Sequence, residues 1–209
     1  MRKMKNALYL IFIILICTQC NAQENNSFEA KKILIVYFSI PETDRADTVT
    51  GASRINDNGR IIGNTEFFAE TIKEFTKGNL FKIQTVYQYP STHQELLEFV
   101  QDEINNKENP KLSQKIINFE EYDTVFIGYP IWYYDFPMAM YSLFEEYDFS
   151  KKTIIPFSTH GGSRFSGTIE KIKQLEPNAK VIEDGLTISR NDIVGSKNII
   201  ENWLKNLKL

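Results

Sequence analysis

The sequence predicts an α/β protein with a parallel sheet covered by helices. Three observations carry that reading. First, three near-continuous apolar runs, at residues 32–38 (KILIVYF), 124–129 (TVFIGY) and 152–158 (KTIIPFS), suit strands buried on both faces. Second, segments with helical spacing lie between these runs. Third, the two types alternate along the chain, the pattern of successive βαβ units.

The elements follow in order. Residues 32–38 form the first strand. Phe68, Ile72 and Phe75 mark one face of a helix starting near Asn64. Residues 80–86 are a weaker strand, and Leu97, Val100 and Ile104 mark the next helix. After the strand at 124–129, Pro137 suits the first turn of a helix carrying Met140 and Phe144. The strand at 152–158 precedes a helix with Ile169, Ile172 and Leu175. A short strand at 185–188 then leads into a closing helix with Ile200, Trp203, Leu204 and Leu207. Residues 40–62 break the rhythm, because connections between a strand and its helix usually take about 2–6 residues. Inside this insertion Asp57-Asn58-Gly59 separates two short β-prone segments, and Asn-Gly favours a tight hairpin turn.

The length, 209 residues, suits one domain with a full core. The N-terminus is a separate object. Arg2, Lys3 and Lys5 precede an uncharged run over residues 7–16, too short to span a bilayer comfortably. The pattern is that of a secretory signal at 1–22, with a cut after Ala22 and a polar linker at 23–30. The domain then occupies 31–209, and the expected location is export, to a periplasm or on a membrane-anchored lipoprotein. A lipid-anchored signal at Cys20, an uncleaved anchor and a buried helix in a cytoplasmic protein stay open as alternatives. The only cysteines are Cys17 and Cys20, so a chain cut after Ala22 has no thiol for catalysis or metal binding. The cut removes three positive charges and no negative ones, taking the formal net charge from −3 to −6 (−3 − 3). An acidic domain is a poor fit to nucleic acid. Membrane contact would come only through the signal or a lipid anchor.

In an open parallel sheet, ligands bind beyond the carboxyl ends of the strands. Three segments stand there. Ser39 ends the first strand, and Gly63-Asn64-Thr65 opens a helix, where free N–H groups and hydroxyls suit a phosphate. Gly128 to Pro137 crowds Trp132, Tyr133, Tyr134 and Phe136 between two prolines, a composition suited to packing on a planar ring. Thr159-His160-Gly161-Gly162-Ser163 offers backbone N–H groups and an imidazole to an acceptor. An ordinary helix cap, a core cap on the sheet and a plain turn are the structural alternatives for the three. His93 reads as structural or solvated. Two distant histidines without clustered carboxylates predict no metal site. No G-x-S-x-G is present, and no hydrolase triad can be assigned.

Together these segments resemble the flavodoxin-like family, in particular a subgroup with IVYFS, a long insertion, GNTE, GYPIWY-D-PMAM and THGGS-FSG. The resemblance spans most of residues 32–204. It implies a three-layer sandwich with a five-stranded parallel sheet in the order 2-1-3-4-5, helices on both faces and FMN as cofactor. Carried over, Ser39, Asn64 and Thr65 would hold the FMN phosphate, with Thr43 as a further candidate. Pro130, Ile131, Trp132 and Tyr133 would line the flavin ring. Thr159, His160, Gly161, Gly162 and Ser163 would form a third wall. The insertion interrupts the family's short phosphate loop. Tyr133 and Tyr134 stand where a flexible glycine often follows the stacking Trp, which implies weaker stabilisation of a one-electron-reduced flavin. Asp135, if close, would lower the flavin's potential. The resemblance implies an FMN-binding oxidoreductase or electron-transfer protein, with donor and acceptor unidentified. A lid formed by 40–62 would suit a small acceptor such as a quinone in a reductase, and an open rim would suit a protein partner. A non-redox binding module on the same fold is the alternative.

Overall fold

A computed structural model describes residues 32–43 and 53–207. The predicted signal segment at 1–22, the linker at 23–30 and the middle of the insertion lie outside the described residues. Among the described residues, no helix is long and apolar enough to cross a membrane.

A parallel sheet forms the middle layer. Its strands are β1 (Ile33–Tyr37), β4 (Asn79–Lys82), β5 (Thr124–Pro130), β6 (Thr153–His160), β7 (Lys180–Val181) and β8 (Leu186–Ser189). The spatial order is β4-β1-β5-β6, and β7 and β8 both pair with β6 on its far side. This is the expected 2-1-3-4-5 order, with the fifth position split between two short strands. Pro156 accounts for the split. Ile182 N–H donates to Ile154 O across this edge, so by the two-residue period of a strand Pro156 also faces it. Proline has no N–H for the ladder there. Pairing lapses and resumes at Phe157–Leu186.

The alternating side chains of β1 feed two cores. Leu34, Val36 and Phe38 join Leu96 and Val100 of α2 (His93–Asn106) and Ala139, Met140 and Leu143 of α3 (Met138–Glu146). Ile33, Ile35 and Tyr37 join Phe68 and Ile72 of α1 (Asn64–Thr76) and Ile200 and Leu204 of α5 (Lys197–Asn206). Ile172 of α4 (Thr168–Leu175) belongs to the first core. Helices therefore cover both faces. Each fully buried Phe or Ile contributes about 1.5–3 kcal/mol relative to exposure.

The expected hairpin is present as β2 (Arg54–Asp57) and β3 (Arg60–Gly63), with Asn58 and Gly59 at φ 53° and 89° in its turn. Its Ile55 and Ile62 pack into the α1–α5 core, and Arg60 pairs with Glu70 of α1. The hairpin is thus fastened to α1. Two details of the sequence reading need correction. The core stripe of α2 runs through Leu96, Val100 and Glu103, leaving Leu97 at 37% exposure on the adjoining surface. Strand β6 also continues through Thr159 and His160, which pair with β8 and so are not loop residues.

Candidate functional site

A cleft of about 760 Å³, open mouth included, lies at the carboxyl edge of β1, β5 and β6. Eight predicted residues line it: Asn64, Pro130, Ile131, Trp132, Tyr133, Thr159, His160 and Gly161. Ser39 and Thr65 sit beneath the lining, both buried, and Gly162 and Ser163 lie just beyond it. Thr43 is turned to Ser91, with its N–H and hydroxyl bonded there.

At one end the start of α1 makes a polar pocket. Its N-cap is Gly63, which has no side chain with which to cap the helix. A Cβ at that position would fall 2.0 Å from Ser39 Oγ, so the absence of a side chain lets the Ser39 hydroxyl approach the helix start. Asn64 N–H donates to Ser53 O at 2.8 Å, tying the returning insertion to the helix. The remaining first-turn N–H groups have no partner within a helix and, with the helix dipole, favour an anion. The Thr65 and Thr159 hydroxyls bond each other at 2.8 Å, linking α1 to β6.

The other end is aromatic. Trp132 and Asp135 exchange both backbone hydrogen bonds, at 2.8 and 2.9 Å, and Tyr133 and Tyr134 between them have φ of 46° and 66°. Two central residues at positive φ define a type I′ turn, a conformation that favours Asn and Gly. Left-handed backbone costs a side-chain-bearing residue about 1–2 kcal/mol. The turn is held from below. Phe38 and Tyr89 brace the Trp132 ring edge-on, with centroids 5.4 and 5.8 Å away. The Tyr133 hydroxyl donates to Leu97 O at 3.3 Å. Upstream, Gly128 is needed because a Cβ there would stand 2.0 Å from the ring of buried Phe157.

His160 closes the floor. Its Nδ1 accepts the Gly162 N–H at 2.8 Å, so the neutral ring carries its proton on Nε2. Burial, and then the nearby Arg164 charge, hold its pKa below the usual histidine value, while Asp192 opposes them. The floor therefore presents a hydrogen-bond donor without a positive charge.

Some expectations change. Asp135 is absent from the lining. Its Oδ1 accepts from Phe136 N–H, and its Oδ2 pairs with Lys171 and accepts from the Tyr141 hydroxyl at 2.9 Å. With its charge matched by Lys171, it no longer accounts for a lowered flavin potential. Of the two readings for His93, structural or solvated, the contacts favour the first, and it also lines the cleft, with Nδ1 2.8 Å from Oε1 of buried Glu42. Arg190, just after β8, also lines the cleft, beside Gly161, and its N–H donates to His160 O at 2.9 Å. Leu96, Leu97, Val100 and Arg190 carried no sequence signal for this site, because each arrives from an element remote in the chain, and Glu42, three residues after Ser39, carried none of its own. Among the described residues, no three His, Asp or Glu side chains gather in a metal-binding group.

A family profile described as Flavodoxin matches residues 60–207. The chain belongs to the flavodoxin family. Among solved structures, a protein from Bacteroides uniformis assigned as a flavoprotein is 26% identical. The match covers 84% of this chain and 99% of that one, at a TM-score of 0.65. A second protein so assigned, from Bacteroides eggerthii, is 27% identical over 83% of this chain and 96% of its own, at a TM-score of 0.61. A flavoprotein from Lactobacillus acidophilus, solved in complex with FMN, is 18% identical over 80% and 99% of the two chains, at a TM-score of 0.55. At that identity it shows a shared fold. No curated protein matches the chain.

Proposed function

We propose that this cleft binds FMN and that the protein is a flavin-dependent oxidoreductase. One observation carries the reading: an uncapped helix start, an aromatic turn and a neutral histidine donor line a single cleft at the carboxyl edge of the sheet. The residues fit the group. The bare Gly63 cap leaves the first-turn N–H groups, with Ser39 and Asn64 beside them, for the phosphate. Trp132, braced by Phe38 and Tyr89, and Tyr133 offer a rigid flat wall to the flavin ring. His160 Nε2–H and the Gly161 N–H beside it suit the ring's polar edge. Bound there, FMN would supply the redox chemistry, while the protein supplies orientation and exclusion of water.

Membership of the family and the FMN complex of the Lactobacillus relative support the cofactor. The test is reconstitution. Purified protein titrated with FMN is expected to take up one equivalent and quench its fluorescence. A folded protein that stays colourless would favour the non-redox binding module instead. The signal-like N-terminus further supports export, with the cofactor loaded outside the cytoplasm. Sequencing the mature N-terminus from fractionated cells is expected to begin at Gln23, and an intact Met1 in the cytoplasmic fraction would contradict export.

A further inference from the structure

One built feature of the molecule stands outside the FMN reading: a buried carboxylate, Glu103 of α2, shared by two tyrosines beside the aromatic end of the cleft. We propose that Trp132, Tyr89 and Tyr87 form a relay that carries one-electron oxidation out of the cleft to the surface, with Glu103 as the proton acceptor for both phenols. The inference goes beyond the FMN reading and stands or falls without it.

Three oxidisable rings follow one another from the cleft outward. Trp132 lines the cleft, Tyr89 meets it with ring centroids 5.8 Å apart, and Tyr87 meets Tyr89 at 5.6 Å. Tyr89 is 8% exposed and Tyr87 37%, so the series ends at solvent. Phe38 and Phe99, which pack along its sides, resist oxidation. A phenol gives up an electron readily only when its proton has somewhere to go. Both hydroxyls donate to the same oxygen, Glu103 Oε1, that of Tyr89 at 2.8 Å. Glu103 stands in the buried stripe of α2 with Leu96 and Val100, a costly place for a carboxylate. Its Oε2 is buried with no hydrogen-bond partner among the described residues. Burial raises the Glu103 pKa, and the two phenols oppose that rise, so the group is a stronger base than an ordinary carboxylate. Tyr133 lacks such a base, since its hydroxyl donates to the backbone oxygen of Leu97.

Electrons and protons balance at each step. A one-electron oxidant in the cleft, an oxidising radical or a light-excited flavin, takes an electron from the Trp132 indole, and the indole N–H proton goes to solvent. Tyr89 passes an electron to the indole, which recovers its proton from solvent, and the Tyr89 proton moves to Glu103. Tyr87 then passes an electron to Tyr89. Because both phenols share Oε1, Glu103 returns the proton to Tyr89 and takes the one from Tyr87. A soluble reductant such as ascorbate supplies the last electron to Tyr87, and Glu103 gives the proton back.

The test uses azide radicals, made by pulse radiolysis, which oxidise tryptophan selectively, on the full chain without added flavin. The chain has two tryptophans. Trp203→Phe leaves Trp132 alone, and its indole-radical absorbance is expected to decay as phenoxyl absorbance grows, more slowly in heavy water. Trp132→Phe leaves Trp203, whose ring neighbours are Phe68 and Phe126, and that indole radical should persist. Within the Trp203→Phe background, Tyr89→Phe keeps the ring and should abolish the phenoxyl growth. Glu103→Gln keeps an acceptor oxygen for both hydroxyls, removes only the base, and should slow the growth. Tyr87→Phe should leave the growth but remove the rapid quenching of the phenoxyl by ascorbate. Growth unchanged in Tyr89→Phe, which would route the oxidation through Tyr133 or Tyr134, would overturn the inference. So would growth unchanged in Glu103→Gln, or equal rates in light and heavy water.

Discussion

In the proposed reading, the two ends of the cleft would hold one ligand at the rim of the sheet by opposite means. At the start of α1 the chain removes a side chain. Gly63 leaves the helix end open, lets Ser39 close in, and presents backbone donors in relaxed geometry. At the turn after β5 the chain adds large side chains in an unfavourable backbone. Tyr133 and Tyr134 sit at positive φ, and Phe38 and Tyr89 brace Trp132 from the core. The difference teaches which part of a ligand each end suits. A phosphate is recognised by directional donors, which the backbone supplies without side-chain entropy. A flat ring is recognised by area, which only side chains supply, and a strained turn persists where packing over-determines it.

Substitutions separate the two strategies. The largest effect is expected upstream of the aromatic end. Gly128→Ala drives a Cβ into the Phe157 ring, which Phe68 backs at 4.7 Å. Overpacking of this kind costs about 3 kcal/mol, read as a lowered midpoint in denaturant. Trp132→Ala should leave folding largely intact but weaken FMN and riboflavin alike by about 1–3 kcal/mol, as when a planar ring loses its aromatic platform. Gly63→Ala pushes the Ser39 hydroxyl aside and should discriminate between those ligands. FMN affinity is expected to fall about tenfold, one lost charge-assisted hydrogen bond, while riboflavin, lacking the phosphate, binds unchanged. Equal losses for both ligands would erase the distinction between the ends.

Smaller effects follow. Tyr134 is 77% exposed, so Tyr134→Gly removes little packing and relieves its positive φ. Stability should rise by about 1 kcal/mol, seen as a higher Tm. The same turn bears on the flavin's one-electron form. Rotating the peptide between Tyr133 and Tyr134 would leave Tyr133 at positive φ with extended ψ, a region open essentially to glycine. Redox titration of the loaded protein should therefore show little persistent one-electron species. The smallest effect lies at the opposite edge of the sheet. Glu176, at the end of α4, has its pKa raised to about 7 by burial, with Asp148 adding to the shift. A carboxyl that ionises more easily when unfolded destabilises the fold as pH rises from about 4.5, its ordinary value, through 7. Glu176→Gln should thus raise Tm at pH 8, leave it unchanged at pH 4, and leave FMN affinity unaltered at both.

Much of this architecture is legible in the sequence where local chemistry decides it. The apolar runs of β1, β5 and β6 announce strands buried on both faces, and Asn58-Gly59 announces its hairpin. The residues of the aromatic turn and of the α1 start can be read for the same reason, since each is a contiguous segment beyond a strand. Long-range partners are not legible. His93 reads as structural or solvated until the chain returns Glu42 to it, and Asp135 looks like a charge on the cleft until Lys171 and Tyr141 turn it away. Leu97 has the spacing of a core residue, but the buried stripe of α2 lies one position earlier, and only packing against β1 reveals that. Arg190 reaches the cleft because β8 pairs with the carboxyl end of β6 and its next residue falls beside His160, a long-range pairing that no local pattern carries.

The most direct measurement is a paired titration of the protein with FMN and with riboflavin, followed by absorbance and fluorescence. The account predicts one equivalent of FMN bound per chain, fluorescence quenched against Trp132, and riboflavin bound more weakly for want of its phosphate. Folded protein that leaves FMN fluorescence unchanged, or that binds both ligands equally, would contradict it.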